Sequence, residues 1–429
     1  MHKIERVQLF SNSKEYLKFF ILSSLLFCFS LLYEYYNYTK LHEFNSYITH
    51  ATVLKQYTKT KIKPNGKEKS YQVLKLKSDE GFTFYTIASK NTPQLLAKEI
   101  TVEFYTDKID FLAYLKNFFA FSKIVAIPKE LTNKEKLLTD LSLEHKDEDI
   151  ATIYKALFLA IPLPSHLQQT FANLGISHLV ALSGFHLSVL FGILFFLLKY
   201  PYTLLQSHYF PYRSKNRDLF FIIAFLLGLY LLFVAMPPSL LRAYAMLVVV
   251  FVLYDRGVKL LSMQTLFVSS IILVILFPRL LFSVGFFLSI SGVFYIFLFL
   301  HYFSNYSKVL QFVLLPFWVY LMMLPYSLYL FGNFSLLHPL SILWTTLFSL
   351  FYPLTLFLHA IGLGNILDEV LKMFLSIDAH AAKLSLAKEC FYGHIVLSLL
   401  SLYKKELLLL LLFEAFSASV YAVYYVAEF

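Results

Sequence analysis

Long apolar runs, separated by short polar segments, occupy most of the chain. The first run follows a basic start and ends in LLYEYYNY, a tyrosine-rich stretch typical of a membrane interface. Its length of about 20 residues is enough to cross a bilayer once. Later runs of spanning length lie near 176–199, 219–236, 239–254, 260–277, 280–300, 309–331, 335–361 and 406–426, whereas 391–403 is too short to cross alone. The pattern predicts a polytopic α-helical membrane protein.

Basic residues between the apolar runs predict how the helices are oriented. Cytoplasmic loops are basic and occur after every second membrane span. Basic loops with this alternation are found at 213–217 (RSKNR), at 255–259 (DRGVK) and at Lys308, and Lys404 and Lys405 precede the last run. The basic start likewise places the N-terminus in the cytoplasm. The segment that follows the first helix is therefore expected outside.

Residues 45–127 have a different pattern, in which polar and apolar positions alternate. Runs such as KSYQVLKLKS, GFTFYTIAS and EITVEFYT are separated by turn-forming stretches that include PNGK and SDEG. Alternation of this kind predicts about five short antiparallel strands in a small barrel or sandwich. The mixed leucines and charges of 129–165 predict amphipathic helices at the membrane surface.

Lysines and aromatic residues are interleaved along this soluble insert. Charges that follow phosphates and rings that stack on bases allow small barrels to hold single-stranded nucleic acid. The alternative is an ordinary soluble surface whose strand aromatics face the core. The candidate DNA-binding residues are Lys55, Tyr57, Lys59, Lys61, Lys63, Lys67, Lys69 and Tyr71.

Composition supports the membrane assignment and limits the kinds of functional site that we expect. Hydrophobic residues make up 58% of the chain and charged residues 15%, against about 45–50% and about 25% in soluble domains. The net charge of +10 is compatible with a nucleic-acid partner, but cytoplasmic loops also concentrate lysine and arginine. Cys28 and Cys390 form no metal-spaced pair, and zinc-ligand and phosphate-loop motifs are absent from the sequence. We predict no cofactor and no metal.

The stretch HLVALSGFHLSVL at 178–190 places polar residues in an apolar run. An ionisable group inside a bilayer costs about 3 kcal/mol unless it faces protein or water, so each is a functional candidate. His178, Ser183 and His186 are predicted to share one broad helix face, since positions i+5 and i+8 lie within about 80° of i. Ser183 and Gly184 predict an unwound point that lines a cavity. The alternative is that the serines bond to their own helix and the histidines make interhelical contacts.

The stretch MPPSLLRAYAM at 236–246 predicts a second polar site. Pro237 and Pro238 end one helix, and Ser239 can cap the next. Arg242 then lies one turn into the membrane, where an arginine needs phosphate, carboxylate or carbonyl partners. If Arg242 lines a passage, its planar guanidinium suits a sliding phosphate. Alternatively, it reaches the outer headgroups.

Two other functional classes stay open. ALSG at 181–184 is similar to the Gly-x-Ser-Gly motif of rhomboid-type intramembrane serine proteases, in which a histidine on another helix activates the serine. His301, His338 and His359 are available for that role. The first glycine of the motif is missing, however, because Ala181 stands in its place. A small-solute transporter would need midplane carboxylates or broken repeats, and the apolar runs contain few acidic residues.

Several ordered motifs resemble those of the ComEC family of competence proteins, and the resemblance covers nearly the whole chain. GISHLVALSGFH at 175–186 is similar to the family's most specific signature, Gly-(hydrophobic)-Ser-His-Leu-x-Ala-(hydrophobic)-Ser-Gly-(hydrophobic)-His. PSLLRA at 238–243 is similar to a second motif, and GFFLS at 285–289 resembles the Gly-Phe-x-Leu-Ser element. LP at 324–325, followed by FGNFS at 331–335, resembles the late Pro…Phe-Gly segment. Any one of these motifs is weak evidence alone, but together they are specific for the family.

The resemblance implies an inner-membrane channel that passes single-stranded DNA into the cytoplasm during natural transformation. The implied regions are a cytoplasmic N-terminus with an anchor helix (1–40), a periplasmic OB-fold-like domain (45–127), surface helices (129–165) and a multi-helix competence-type channel (170–429). The channel-lining or DNA-contacting residues would be His178, Ser183, Gly184, His186, Ser239, Arg242 and Ser289.

The resemblance also implies partners. Besides single-stranded DNA and the lipid bilayer, we expect a periplasmic DNA-binding protein. Because the sequence contains no phosphate-loop motif, we expect an external driving force, from a cytoplasmic helicase or from the proton gradient. Many members of the family end in a metallo-β-lactamase-like domain proposed to degrade one DNA strand, whereas this chain ends at Phe429, just after its last apolar run. We therefore expect a channel without catalytic residues, and a separate nuclease if one strand is degraded.

Overall fold

The computed structural model describes residues 9–10, 12–62, 68–96, 98–107, 109–127, 133–234, 236–257 and 262–427. The described chain begins with a long helix, α1 (Ser13–Leu41), whose cap is Asn12. The Asn12 side chain accepts a hydrogen bond from the backbone N–H of Glu15 at 3.0 Å. Apolar side chains such as Phe20 and Phe29 are exposed along this helix, as expected where lipid is the solvent.

Within the described residues, six strands and one short helix form the insert that follows α1. They are β1 (Ser46–Ile62), β2 (Glu68–Ser78), β3 (Thr83–Ala88), β4 (Glu99–Tyr105), α2 (Phe111–Leu115), β5 (Phe118–Phe119) and β6 (Ser122–Ala126). Neighbours in the sheet follow the order β5-β3-β2-β1-β4-β6. Because β5 and β6 are consecutive in the chain and lie at the two edges, the chain between them closes the sheet into a small barrel. Across this closure the hydroxyls of Thr86 and Ser122 lie 2.8 Å apart.

Alternating side chains fill the barrel core. In β4, Ile100, Val102 and Phe104 are buried, and the residues between them are more exposed. The rings of Phe84 and Phe104 lie 4.8 Å apart, and the Phe118 ring stacks on Phe84 at 5.5 Å. Burial of one such ring stabilises the fold by about 2 kcal/mol, so these phenylalanines form an important part of the barrel core.

The strands β1 and β2 extend beyond the barrel as a two-stranded ribbon. β4 pairs only with Ser46–Thr52 of β1, whereas the pairing of β1 with β2 continues to Ile62. A bulge between Val53 and Lys55 shifts the register, so that odd-numbered residues of β1 face outward beyond it. The predicted Lys63 and Lys67 lie outside the described residues.

Helices form most of the remaining chain. Before the long helices come α3 (Asn133–Glu144), α4 (Glu148–Leu159), α5 (Ser165–Asn173) and α6 (Ser177–Val180). There follow α7 (Gly184–Tyr209), α8 (Lys215–Phe233), α9 (Pro238–Asp255), α10 (Met263–Leu276), α11 (Val284–Phe303), α12 (Lys308–Leu330) and α13 (Ser341–Ala360). The last elements are α14 (Asp368–Leu375), α15 (Lys388–Leu400) and α16 (Lys405–Ala427), while β7 (Asn333–Phe334) pairs with β8 (Ala382–Lys383).

Seven helices of the described chain are long and apolar enough to cross a membrane. They are α1, α7, α8, α11, α12, α13 with the turn before it, and α16. The prediction of a polytopic α-helical membrane protein with a small all-β insert after its first helix is therefore confirmed.

The barrel lies at one end of the helical region. The Lys77 ammonium donates a hydrogen bond to the carbonyl of Met236, in the turn between α8 and α9, at 3.0 Å. Arg279, in the turn between α10 and α11, pairs with Glu34 of α1 at 2.9 Å, and its guanidinium lies 4.6 Å from the ring of Tyr114 in α2. The basic turns before α8 and after α9 are at the other ends of these helices.

A buried polar network joins α11, α15 and α16. The Tyr295 hydroxyl lies 2.9 Å from Nε2 of His394 and 2.7 Å from the hydroxyl of Ser398. Nδ1 of His394 contacts the carboxylate of Glu414. In apolar surroundings polar groups are tolerated when they satisfy one another, so this network fixes how the three helices pack.

The prediction that His178, Ser183 and His186 share one broad helix face is wrong. α6 ends at Val180, and α7 begins at Gly184 after an extended connection that includes Ala181 and Ser183. The break occurs at the predicted unwound point, because Ser183 takes the N-cap position of α7. It lies at the start of a long helix, and the three polar residues of the motif do not share a helix face.

Candidate functional site

Ser183 and His186 hold the break between α6 and α7. The backbone N–H of Ser183 donates to Nδ1 of His186 at 3.2 Å, and the serine hydroxyl lies 3.0 Å from the same nitrogen. In such a capping arrangement a side chain three residues into the helix satisfies the backbone of the N-cap residue. The structure thus brings these two predicted residues together at the start of α7.

His186 is fully buried. Its ring lies 4.5 Å from the ring of Tyr352 and 5.5 Å from that of Phe348, both on α13. Because Nδ1 accepts from Ser183, Nε2 carries the hydrogen of the neutral ring. Neither Nε2 of His186 nor the Tyr352 hydroxyl has a hydrogen-bond partner in the described part of the chain. A buried unpaired donor costs about 1–3 kcal/mol, so these two groups are candidates for contact with a polar molecule.

His178 lies apart from His186, on α6. Its Nε2 is 3.4 Å from the hydroxyl of Thr345 on α13. Although the side chain is exposed, desolvation by neighbouring protein lowers the pKa of His178. His178 is therefore expected to be neutral at pH 7.

Ser239 connects the two polar motifs. Its hydroxyl donates to the carbonyl of Leu182, inside the break before α7, at 2.5 Å. Nearby, a Cβ placed on Gly184 would lie 3.4 Å from the Cβ of Ala243, so the starts of α7 and α9 touch there. Two motifs that are distant in the sequence form one site.

Arg242 lies between α9 and the start of α11. Its Nη1 donates to the hydroxyl of Ser283 at 3.3 Å. A Cβ on Gly285 would lie 3.2 Å from Nη2, so the glycine leaves room for the guanidinium. Nε of Arg242 is buried without a hydrogen-bond partner, and no ion pair to Arg242 occurs within the described residues. The guanidinium therefore retains bonding capacity for an anion such as phosphate.

An open groove of about 510 Å³ lies beside these residues, between α7, α8, α9 and α11. The predicted residues Gly184 and Ser289 line it, together with two further polar residues, Ser188 and Tyr254. The apolar lining residues are Leu187, Phe191, Phe220, Ala243, Met246, Leu247, Val250, Phe251 and Val293. The wall of the groove is thus almost free of charge.

The outer face of β1 and β2 carries lysines and tyrosines in one row, which we name the basic stripe. Its directly opposite pairs are Lys55–Lys75, Tyr57–Val73 and Lys59–Tyr71. Opposite residues of antiparallel strands point to the same face, so these side chains lie together on the outside of the sheet. The backbone pairing continues along the ribbon to Lys61 and Lys69.

The basic stripe continues along β2 toward the helical region. The ammonium of Lys75 lies 5.5 Å from the centre of the Tyr85 ring, a cation–π contact. Burial, with a smaller effect from the charge of Lys55, lowers the pKa of Lys75. Burial also lowers the pKa of Lys77 to about 8. Since Lys77 bonds to the Met236 carbonyl, the stripe ends at the turn that precedes α9.

Sequence reasoning missed part of what the structure brings together. Ser188 lies one helical turn after Gly184 on the same face, and that spacing could have identified it. A second group, Glu144, His145 and His359, places one ligand atom of each residue within 4.8 Å of the others. No local motif identifies this group, because His359 lies 214 residues after His145 in the sequence.

Comparison with known proteins identifies the family. A family model described as Competence protein matches residues 162–423, which is more than half of the chain. No curated protein and no solved structure matches the chain. The matched region contains both polar motifs and the groove between α7, α8, α9 and α11. The chain therefore belongs to the competence protein family, and its role is in competence and DNA uptake.

Proposed function

We propose that this protein is the channel through which single-stranded DNA crosses the bacterial inner membrane during natural transformation. The basic stripe holds the strand outside, and the site formed by α7, α9 and α11 lets it through. The observation that carries this proposal is the position of Lys77 at the end of the stripe. Its ammonium bonds to the Met236 carbonyl, in the turn that leads into α9 and Arg242.

The basic stripe has the chemistry and the length that a short strand requires. From Tyr71 to Lys77, β2 extends for about 20 Å, which is sufficient for the few nucleotides that a small barrel binds. The Tyr57 side chain is 48% exposed and is available to stack on a base. Since the contacts to phosphate are made by lysines, binding is expected to weaken as the salt concentration rises.

The charge of the turns supports an orientation with the barrel in the periplasm. Basic residues concentrate in cytoplasmic loops, and the basic turns before α8 and after α9 lie opposite the barrel. A strand that is held by the barrel would then move toward the cytoplasm as it passes Arg242. The planar guanidinium offers a phosphate two hydrogen bonds at the entrance, where its present partner is a single serine.

The groove is the closed form of the passage. Apolar constrictions stop flow by excluding water, and they open when the surrounding helices separate. The contact between Gly184 and Ala243 holds α7 against α9 and is the place where separation would begin. An uncharged wall also holds a polyanion weakly, which allows the strand to leave as well as to enter.

In the proposed function, partner proteins deliver the DNA, supply the driving force and degrade the second strand. A periplasmic DNA-binding protein delivers the strand, and a cytoplasmic helicase or the proton gradient draws it inward. A separate nuclease degrades the other strand where degradation occurs. The family match supports this uptake role and gives no support to a rhomboid-type protease or a small-solute transporter.

The route is tested by crosslinking during uptake in living cells. A photoreactive phenylalanine derivative would replace Tyr57 on the stripe, Met236 at its end or Val250 in the groove of the full-length protein. The matched control position is Phe225 on α8, whose side chain is 66% exposed on the outside of the helical region. Labelled DNA is expected to crosslink at the first three positions and not at Phe225. Crosslinking at Phe225 as strong as at Val250 would contradict the route.

A further inference from the structure

Outside the proposed DNA route, three segments meet at a cluster of histidines and carboxylates. Glu144 ends α3 and His145 follows it, while His359 lies at the end of α13. The ligand atoms of these three residues all lie within 4.8 Å of one another. Asp368, the first residue of α14, contacts the cluster through His145.

Hydrogen bonds fix which nitrogens of the two histidines carry hydrogen. Nδ1 of His145 lies 2.9 Å and 3.1 Å from the two carboxylate oxygens of Asp368. Nδ1 of His359 lies 2.7 Å from the backbone carbonyl of Thr355. Both partners only accept hydrogen bonds, so both Nδ1 atoms must be donors. In the neutral rings, each Nε2 then presents a lone pair.

The two lone pairs face each other. Nε2 of His145 and Nε2 of His359 are 3.1 Å apart, a distance at which two acceptors repel. The arrangement needs a positive charge between the nitrogens, either a shared proton or a metal ion. The His145 side chain is fully buried and that of Asp368 is 14% exposed, so bulk water does not relieve the repulsion.

We propose that His145, His359 and Glu144 bind a divalent transition-metal ion of the zinc class. At tetrahedral zinc, two histidine nitrogens about 2.05 Å from the metal are roughly 3.3 Å apart, close to the observed separation. Ligating histidines usually donate their other ring N–H to a carboxylate or a backbone carbonyl, and Asp368 and Thr355 supply these two groups. A water completes the coordination.

Gly364 shows that the space around the cluster is restricted. A Cβ at this position would lie 2.6 Å from Oε1 of Glu144 and 2.7 Å from Nε2 of His359. The backbone N–H of Gly364 donates to the same Glu144 oxygen at 2.8 Å and so orients the carboxylate. Only glycine permits both the hydrogen bond and the approach of the ligands.

Tyr154 is a second feature that points to a polar ligand. Its ring lies 4.6 Å from that of His145 and 4.5 Å from that of His359. The tyrosine is completely buried, and within the described residues its hydroxyl has no hydrogen-bond partner. A buried hydroxyl without a partner, on a ring that packs against both imidazoles, fits a site that is completed by an ion and its water.

The bound ion would join α3, which follows the barrel, to the end of α13 and the start of α14. Its role is structural, since it fixes the layer of helices that connects the barrel to the channel. This inference does not depend on how DNA passes, because none of its residues lines the groove or the basic stripe.

Metal binding by the purified full-length protein tests the site. The chain is treated with a chelator, dialysed, and titrated with Co²⁺, whose visible absorption reports tetrahedral coordination. Wild type is expected to bind one Co²⁺ per chain with intense visible bands, and Zn²⁺ should displace it. Chelation should also lower the melting temperature, and Zn²⁺ should restore it.

Variants separate a metal site from a shared proton. His359→Gln removes a ligand and should abolish the visible bands, whereas the control His208→Gln replaces an exposed histidine outside the cluster and should leave them unchanged. Asp368→Asn retains all three ligands and should weaken Co²⁺ binding by about 10–100-fold, which keeps the test valid if His359→Gln does not fold. Equal Co²⁺ binding by wild type, His359→Gln and Asp368→Asn would overturn the proposal. The absence of stoichiometric binding by folded wild type would favour the shared proton instead and would also overturn it.

Discussion

The barrel and the helical region present charge in opposite ways. The basic stripe offers lysines and tyrosines on an open face, whereas the groove between α7, α8, α9 and α11 has an almost uncharged wall. A charged face captures a polyanion, and an uncharged constriction lets it slide without being retained. On the proposed route, capture and passage therefore belong to separate regions. These regions meet where Lys77 bonds to the Met236 carbonyl, in the turn that leads into α9 and Arg242.

The largest effect is expected where the two regions meet. Arg242→Gln removes the half-buried cation beside the groove and should reduce transformation by about 100-fold or more with normal protein levels, because phosphates on the proposed route lose a contact. Transformation frequency, with membrane abundance measured in parallel, checks this. Arg256→Gln, which changes an exposed arginine after α9, is the matched control and should transform normally. Normal transformation by Arg242→Gln would remove this residue from the route.

Binding of single-stranded DNA is expected to depend on the lysines of the basic stripe. Replacing Lys55, Lys59 and Lys75 together by Gln should weaken binding of single-stranded DNA by the full-length protein about tenfold or more. The slope of log affinity against log salt should fall by about 2, since each lost phosphate contact contributes about 0.7. The control replaces Lys123, Lys136 and Lys146, three exposed lysines elsewhere, by Gln. If both triple variants bind alike, net charge and not the stripe determines capture.

The sequence was sufficient to predict the architecture of both regions. Apolar runs of spanning length predicted the helices, and the alternation in 45–127 predicted the strands, because burial against lipid or a core follows directly from these periods. The residue types of the polar motifs also predicted that Ser183 and Arg242 would lie in special surroundings. These features depend on residues that are close together in the sequence, so they can be predicted without knowledge of the fold.

Features that depend on contacts between distant segments could not be predicted. The space that Gly285 leaves for Arg242 exists only when α9 packs on α11. Likewise, the β1–β2 bulge determines which lysines share a face, and no pattern in the sequence fixes its position. The cluster of Glu144, His145 and His359 was the least predictable feature, because it forms only when the end of α3 packs against the end of α13.

A smaller effect is expected within the polar motif of α7. Ser183→Ala removes the hydroxyl that contacts His186 but retains the backbone N–H that donates to the same nitrogen, so the cap survives in part. Transformation should fall by less than about tenfold, for a loss near 1 kcal/mol. A complete loss with normally folded protein would instead favour serine chemistry. Cleavage of a membrane-protein substrate by wild type and not by Ser183→Ala would then decide between the two.

The smallest effect is a pH dependence at the end of the stripe. The pKa of Lys77 is lowered by burial to about 8 from its usual 10.5, so its charge is lost as the pH rises through 8. Lys77→Gln should weaken DNA binding by about threefold at pH 7 and by little at pH 9, where the wild-type lysine is largely neutral. Because the folded chain binds fewer protons at this site, its stability should rise between pH 8 and pH 10.5. An equal effect of Lys77→Gln at both pH values would contradict the assignment.

The most direct test of the passage locks α7 to α9. A Cβ at position 184 lies 3.4 Å from that of Ala243, near the roughly 3.8 Å found in disulfides, so Gly184→Cys with Ala243→Cys should crosslink on oxidation. Cys28 and Cys390 would first be changed to serine, and each single-cysteine variant serves as a control. We predict that oxidation stops DNA uptake in the double variant alone and that reduction restores it. Uptake at the normal rate through a fully crosslinked protein would contradict passage between these helices.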